Sequence, residues 1–181
     1  MFRRFKRAAH RWDILGRTRR HGWTGIYVGD FGSTLTWAYT IGFHAAFGAP
    51  EVVVFDLPQA SADGTFQEIY KDLKAGRLVM RDGERWRPDE LAQPYVWREV
   101  HPSRLYDNDP EQPWLGLAEN LAVILAPEKG PFTAFQLVLP DHDGNMPWEP
   151  GYDERLRPLQ RELYLPIPQR GPGELADRGM I

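Results

Sequence analysis

Chemistry in this chain would rest on carboxylates, histidines and amides. It has no cysteine to serve as nucleophile, disulfide partner or thiolate ligand. Three places stand out. Glu51 follows Pro50 and leads straight into the apolar run Val52, Val53, Val54, Phe55. A glutamate is rarely buried without a partner. Glu51 therefore either hydrogen-bonds a neighbour such as Tyr39, Thr40 or a loop amide, or acts as a general base with a raised pKa. Gln136 lies inside the apolar run "FTAFQLVL" (132–139) and faces the same demand. A buried amide must find partners, in a neighbouring loop or in a ligand. The third place is "DHDGNMPWE" (141–149), where Asp141, Asp143, Asn145 and Glu149 are oxygen donors. It departs from the calcium-loop template, because its glycine comes fourth rather than sixth and its closing acid comes too early. A turn is the simpler reading, with Trp148 behind it capping the core or rimming a pocket.

The five histidines, His10, His21, His44, His101 and His142, show no metal-ligand spacing, and no metal is expected. His44 and His142 are the two that could join Glu51 as acid–base groups; the plainer alternative for each is an ordinary surface or loop histidine. No G-x-S-x-G elbow, P-loop or G-x-G-x-x-G is present, so the serine-hydrolase, nucleoside-triphosphatase and dinucleotide classes lose their usual support. A flavin site stays open, since such sites often lack a short motif. The cofactor is otherwise unspecified.

The elements that position these groups start with "WAYTIGF" (37–43). In a strand, alternate side chains face opposite ways. Leu35, Trp37, Tyr39, Ile41 and Phe43 share one face, and Thr36, Ala38, Thr40 and Gly42 the other. Glycine in a strand marks close approach of a backbone or a ligand. The small face is thus either packed tightly by a helix or left as a shallow trough for a ligand or partner. Runs 23–29 and 34–43 flank "DFGS" (30–33), which reads as a β-hairpin turn. Residues 52–55 suit an interior strand. Phe66, Ile69, Tyr70 and Leu73 recur at helical spacing, with Thr65 and Glu68 as a capping box and Gly76 as the stop. A short hairpin is expected around Asp82 and Gly83, a strand at 95–100, a loop at 101–113, a helix at 113–126 and a strand at 132–139. The second helix carries the stripe Trp114, Leu117, Leu121, Ile124, Leu125. The sum is an α+β domain: a mainly antiparallel sheet, with a mixed sheet left open, and two principal helices packed on it.

Net charge is −3, but residues 1–20 alone carry +7 and the rest −10. The expected organisation is a basic N-terminal arm (1–21), one domain (22–165) and a loosely ordered tail rich in proline and glycine (166–181). The arm, partly helical, is either a solvated segment or first helix that docks on the acidic body, or a contact for nucleic acid or an anionic surface. Nucleic acid is not expected elsewhere. There is no run of about 18 apolar residues for a membrane span, and no apolar leader segment opens the chain, so a cytoplasmic setting is expected. Seven tryptophans and seven tyrosines add modestly to the case for an interaction surface.

"WAYTIGF", "APEVVVFDLP" and "FQLVLPDHDGNMPWEPGY", spanning about Gly22 to Leu163, resemble the family called domain of unknown function 4262. The resemblance implies a bacterial, soluble protein and no mechanism. Members often place a histidine just before the Pro-Glu pair; here Ala49 stands there. The layout is also similar, loosely, to suppressor-of-fused-like domains, whose bacterial members include toxin neutralisers. The leading expectation is a binding or interaction module without catalysis of its own, regulatory or toxin-neutralising. Its ligand or protein partner would sit in a trough at Tyr39, Thr40 and Gly42, rimmed by Glu51, Gln136, Asp141 and Trp148. The alternative is a small enzyme or flavin-type protein using Glu51 with His44 or His142. Self-association is left open.

Overall fold

The computed structural model describes residues 2–29, 35–89, 92–105 and 113–167, with residues 2–10 described by backbone alone. In chain order the elements are α1 (Phe2–His21), β1 (Thr24–Val28), β2 (Trp37–Ile41), α2 (Phe43–Phe47), β3 (Glu51–Phe55), α3 (Gln59–Lys74), β4 (Arg85–Trp86), β5 (Tyr95–Glu99), α4 (Gly116–Leu125) and β6 (Ala134–Val138). The six strands form one sheet in the order β1-β2-β3-β6-β5-β4. Every pairing is antiparallel except β3 with β6, which run parallel at the centre of the sheet. The fold is α+β, and the mixed sheet left open by the sequence is the one formed.

The alternation in β2 places its side chains as expected. Tyr39 and Ile41, with Leu35 and Trp37 at their side, face a core built from α4 and the end of α1. Ala38 faces a second core built on α3, with Phe66, Ile69, Val52, Val54 and Leu137. Two cores on two faces explain the apolar run 52–55 of β3, a strand buried along its whole length. Each buried Val or Phe side chain of β3 is worth roughly 1.5–3 kcal/mol over an exposed one. The central strand therefore anchors both layers.

Four expectations need correction. Phe43 does not continue the aromatic face. Gly42 has φ +121° and breaks the strand, so Phe43 begins α2 and joins the α3 core. The helix expected from Thr65 starts at Gln59, and Thr65 is buried in mid-helix with no capping role. Burial of Ala62 under the sheet outweighs the local capping signal. Asp82 and Gly83 do form a turn, but no strand precedes it; β4 is two residues long and pairs with β5. On α4 the buried stripe is Ala118, Leu121 and Ala122, following Trp114 and Leu115, whereas Ile124 is half-exposed. The helix starts at Gly116, not Pro113, which shifts the inward face. Of the alternatives for residues 1–21, a first helix is the one formed: α1 is helical over its whole length, and Ile14 and Leu15 are core residues.

The turn expected at 30–33 and the side chains of residues 2–10 lie outside the described residues, as does the tail from 168 onward. No helix among the described residues is long and apolar enough to cross a membrane.

Candidate functional site

The residues expected to rim one trough occupy separate parts of the molecule. Glu51 is the first residue of β3 and is buried. Its Oε2 accepts the Thr40 hydroxyl at 2.7 Å and the Phe43 amide at 3.2 Å. Its Oε1 accepts the Gly42 amide at 2.7 Å and the His44 amide at 3.1 Å. Thr40 Oγ1 in turn accepts the Val52 amide at 2.9 Å. Gly42, Phe43 and His44 are the opening residues of α2, whose first amides have no partner inside the helix. Glu51 therefore caps α2 from the neighbouring strand, and all of its acceptor capacity is engaged. Burial pushes its carboxyl above the ordinary value, while the Thr40 hydroxyl and the Gly42, His44 and Phe43 amides pull it part of the way back.

Gly42 is fixed by sterics as well as by conformation. A Cβ there would lie 2.6 Å from the Gly22 carbonyl oxygen and 2.7 Å from Thr18 Cγ2. The close neighbour that a strand glycine signals is thus the chain's own turn after α1. The small face of β2 is likewise occupied. Ala38 and Thr40 are buried. Trp23, Phe43, Phe66 and Tyr70 interlock beside them, with ring centroids 5.7–6.4 Å apart. Ala38, Thr40 and Gly42 are thus covered; the open space at this end, about 500 Å3, lies beside them at Trp23, Thr24, Gly25 and Tyr70.

Tyr39 points to the opposite layer. Its hydroxyl is pushed up to about 12 by burial and then by the Glu119 carboxylate on α4. Gln136 is fully buried on that same face. Its Oε1 accepts the Leu163 amide at 2.9 Å and its Nε2 donates to the Arg161 carbonyl, so it pins the C-terminal segment to the sheet. Trp148 is partly exposed and stacks under the Arg98 guanidinium, 5.0 Å from its ring, which also lies over Tyr164.

Asp141 builds the turn that the sequence suggested. Its Oδ1 accepts the amides of Asp143 and Asn145 at 2.9 and 2.8 Å, and its Oδ2 accepts that of Asp153 at 3.0 Å. Burial raises its pKa, but the amides of Asn145 and Asp153, the Asn145 side chain and the Asp143 amide outweigh this and hold the carboxyl below its usual range. Among the described residues there is no group of three metal-ligating acids or histidines.

The two histidines part company. The His44 ring is buried, with Nε2 3.2 Å from the Lys129 carbonyl oxygen, in a small cavity of about 190 Å3 shared with Glu119 and Phe132. It lies at the amino end of β3, beside Glu51. His142 follows β6 at its carboxyl end. Because β3 and β6 are parallel, these ends are about 13 Å apart along the strands at roughly 3.3 Å per residue. Glu51 and His142 therefore do not form an acid–base pair.

An open cavity of about 450 Å3 does exist, at the carboxyl ends of β3 and β6. Its position follows from the topology. After β3 the chain turns onto the α3 face. After β6 it passes over the other face, where Met146 and Tyr164 pack on Val96 and Val138. Between parallel strands whose continuations leave to opposite sides, a crevice is left at the carboxyl ends. Phe55, Tyr95, Leu139, Tyr152 and Leu156 supply apolar wall, and Asp56, Gln93, Asp141, His142 and Gln160 supply polar groups.

Most of these polar groups are already engaged. Gln160 holds the Leu139 amide and carbonyl and the Tyr152 hydroxyl, and Gln93 donates to the His142 carbonyl. Asp56 differs. Its backbone is left-handed (φ +56°), the sole such non-glycine among the described residues. Burial pushes its carboxyl pKa up. Its amide donates to the Thr36 carbonyl, which fixes the backbone where Asp56 lines the crevice. Sequence reading passed over Asp56 because its significance depends on β6 lying parallel beside β3. The signal available was its place directly after the apolar run 52–55.

A family model described as Domain of unknown function (DUF4262) matches residues 17–153. The match covers every strand, α2, α3 and α4, the Asp141 turn and Asp56. No curated protein matches the chain, and no solved structure does.

Proposed function

Since this chain belongs to the domain of unknown function 4262 family, a name that assigns no activity, we propose from its own geometry that it is a binding module whose site is the crevice at the carboxyl ends of β3 and β6. One observation carries this reading. The polar groups at the amino end of β3 are consumed within the fold, whereas Asp56 is held in a left-handed conformation on the lining of an apolar-walled cavity. Cavities of a few hundred Å3 with mainly apolar walls and a few polar groups are the usual form of small-molecule sites. A cytoplasmic setting agrees with the absence of cysteine. Within a bacterial cell such a module would act by occupancy, regulating a process or sequestering its ligand. The catalytic alternative moves with the cavity: its acid–base groups would be Asp56 and His142, not Glu51 and His44.

Amide-resolved NMR with a chemically mixed fragment set tests the site. Binding is expected to move the amides of 55–56, 92–95, 139–142 and 152–160. Responses confined to Thr40, Gly42 and Glu51 would overturn it. Leu156→Trp, which fills the cavity, is expected to abolish the response while the rest of the spectrum is retained.

A further inference from the structure

Within that reading, we infer that the crevice takes a small organic cation: a primary amine or guanidinium carried on a flat or apolar body. The reasoning concerns which charge the walls accept. Among the described residues lining the cavity there is no lysine or arginine, while Asp56 and Asp141 both lie on it. Burial chiefly raises the pKa of the Tyr152 hydroxyl on the cavity wall; the Gln160 hydrogen bond and the Arg157 guanidinium, 5.6 Å from the ring, oppose it, and the fields of Asp141 and Asp56 add to it. The hydroxyl of Tyr95, the tyrosine lining the cavity from β5, is raised first by burial and then by Asp89.

Asp141 has its oxygens committed to backbone amides and cannot turn toward a ligand without undoing the turn. Asp56 has no such commitment, so it is the group that would meet a cationic head. The walls suit the remainder of such a ligand. Phe55 and Tyr95 present ring surface, and a cation beside aromatic faces gains from their quadrupoles. Leu139, Pro140 and Leu156 cover an apolar body. The opposite charge fits poorly. A phosphate or carboxylate here would face two carboxylates, while the Arg157 guanidinium over the Tyr152 ring is already paired with Glu154, and like charges at close range cost several kcal/mol. That argues against a flavin mononucleotide or any nucleotide in this cavity.

The test compares matched probes by amide-resolved NMR on the full chain: tyramine and agmatine as cations, 4-hydroxyphenylacetate as the anionic counterpart of tyramine, and p-cresol as its neutral core. The expected result is saturable shifts at Asp56, Tyr95 and His142 with the two cations, weaker shifts with p-cresol and none with the anion. Asp56→Asn keeps the side-chain shape and tolerates the left-handed backbone. It is expected to weaken the cations about tenfold, as loss of a charge-assisted hydrogen bond does, and to leave p-cresol unchanged. Equal or tighter binding of the anion, or cation binding indifferent to Asp56→Asn, overturns the cation assignment and leaves the crevice as a site. No probe of any charge moving the crevice amides overturns the site itself, and the cation assignment with it. An Asp56→Asn spectrum that otherwise overlays the parent shows that the comparison is made between equally folded proteins.

Discussion

The two ends of the central parallel strands make opposite use of a carboxylate. At the amino end Glu51 is buried and accepts four hydrogen bonds, three of them from the opening amides of α2. At the carboxyl end Asp56 stands at a cavity with its side chain uncommitted. They lie five positions apart, one opening β3 and the other directly following it. A carboxylate's type and neighbours in sequence do not decide its use. What decides it is whether the fold brings backbone donors to it. A helix start lies over Glu51; divergent chain segments lie over Asp56.

If this contrast is right, substitutions at the two ends should differ sharply. The largest effect is expected for Glu51→Ala, which leaves three amides and the Thr40 hydroxyl buried without an acceptor. At 1–3 kcal/mol for each orphaned group, less whatever relaxation recovers, a loss of about 4 kcal/mol is expected in urea unfolding. A loss below about 1 kcal/mol would mean the cap is decorative. Gly42→Ala follows, at about 3 kcal/mol, because the new methyl meets backbone on one side and requires φ +121° on the other. Circular dichroism melts would register it. Gln136→Leu is expected to cost about 2 kcal/mol by orphaning the Leu163 amide and Arg161 carbonyl. Hydrogen exchange at Leu163 should quicken more than exchange in β3, since the loss is local to the C-terminal segment.

The Asp141 turn sharpens the comparison through pH. Its folded pKa lies below the ordinary 3.8, so its contribution is complete above that value and is lost as pH falls through the folded pKa. The stability gap between the parent and Asp141→Asn should thus be full at neutral pH and close in acid. A gap independent of pH would show that the charge plays no part. The smallest effect belongs to Asp56→Asn, within about 0.5 kcal/mol of the parent at neutral pH, as for an exposed side chain with no partner. A loss comparable to that of Glu51→Ala would remove the contrast altogether.

Much of the fold could be read in the sequence. The two-residue period of 35–41 and the unbroken apolar run 52–55 named a strand with one bulky face and a strand buried on both. Local signals misled where tertiary burial outweighed them. Thr65 and Glu68 have the spacing of a cap, yet Ala62 beneath the sheet draws the helix back to Gln59. The site was less legible. Thr40, Gly42 and Glu51 were rightly seen as a group, because Gly42 and Glu51 bracket one short segment. Nothing local, however, tells that the space beside them is filled by Trp23 and Phe66, which come from either side in sequence. Asp56 gained its setting from a strand some eighty residues later.

That distance has a temporal consequence. Glu51 aligns with Ala134 and Val54 with Leu137, so the central pairing joins parts of the chain 83 residues apart. Such a closure is slow to nucleate, and it can form only after everything between has been brought round. The crevice is created by that closure and has no existence in a half-assembled molecule. An occupant would therefore retard unfolding of the whole chain rather than damp the breathing of a single loop.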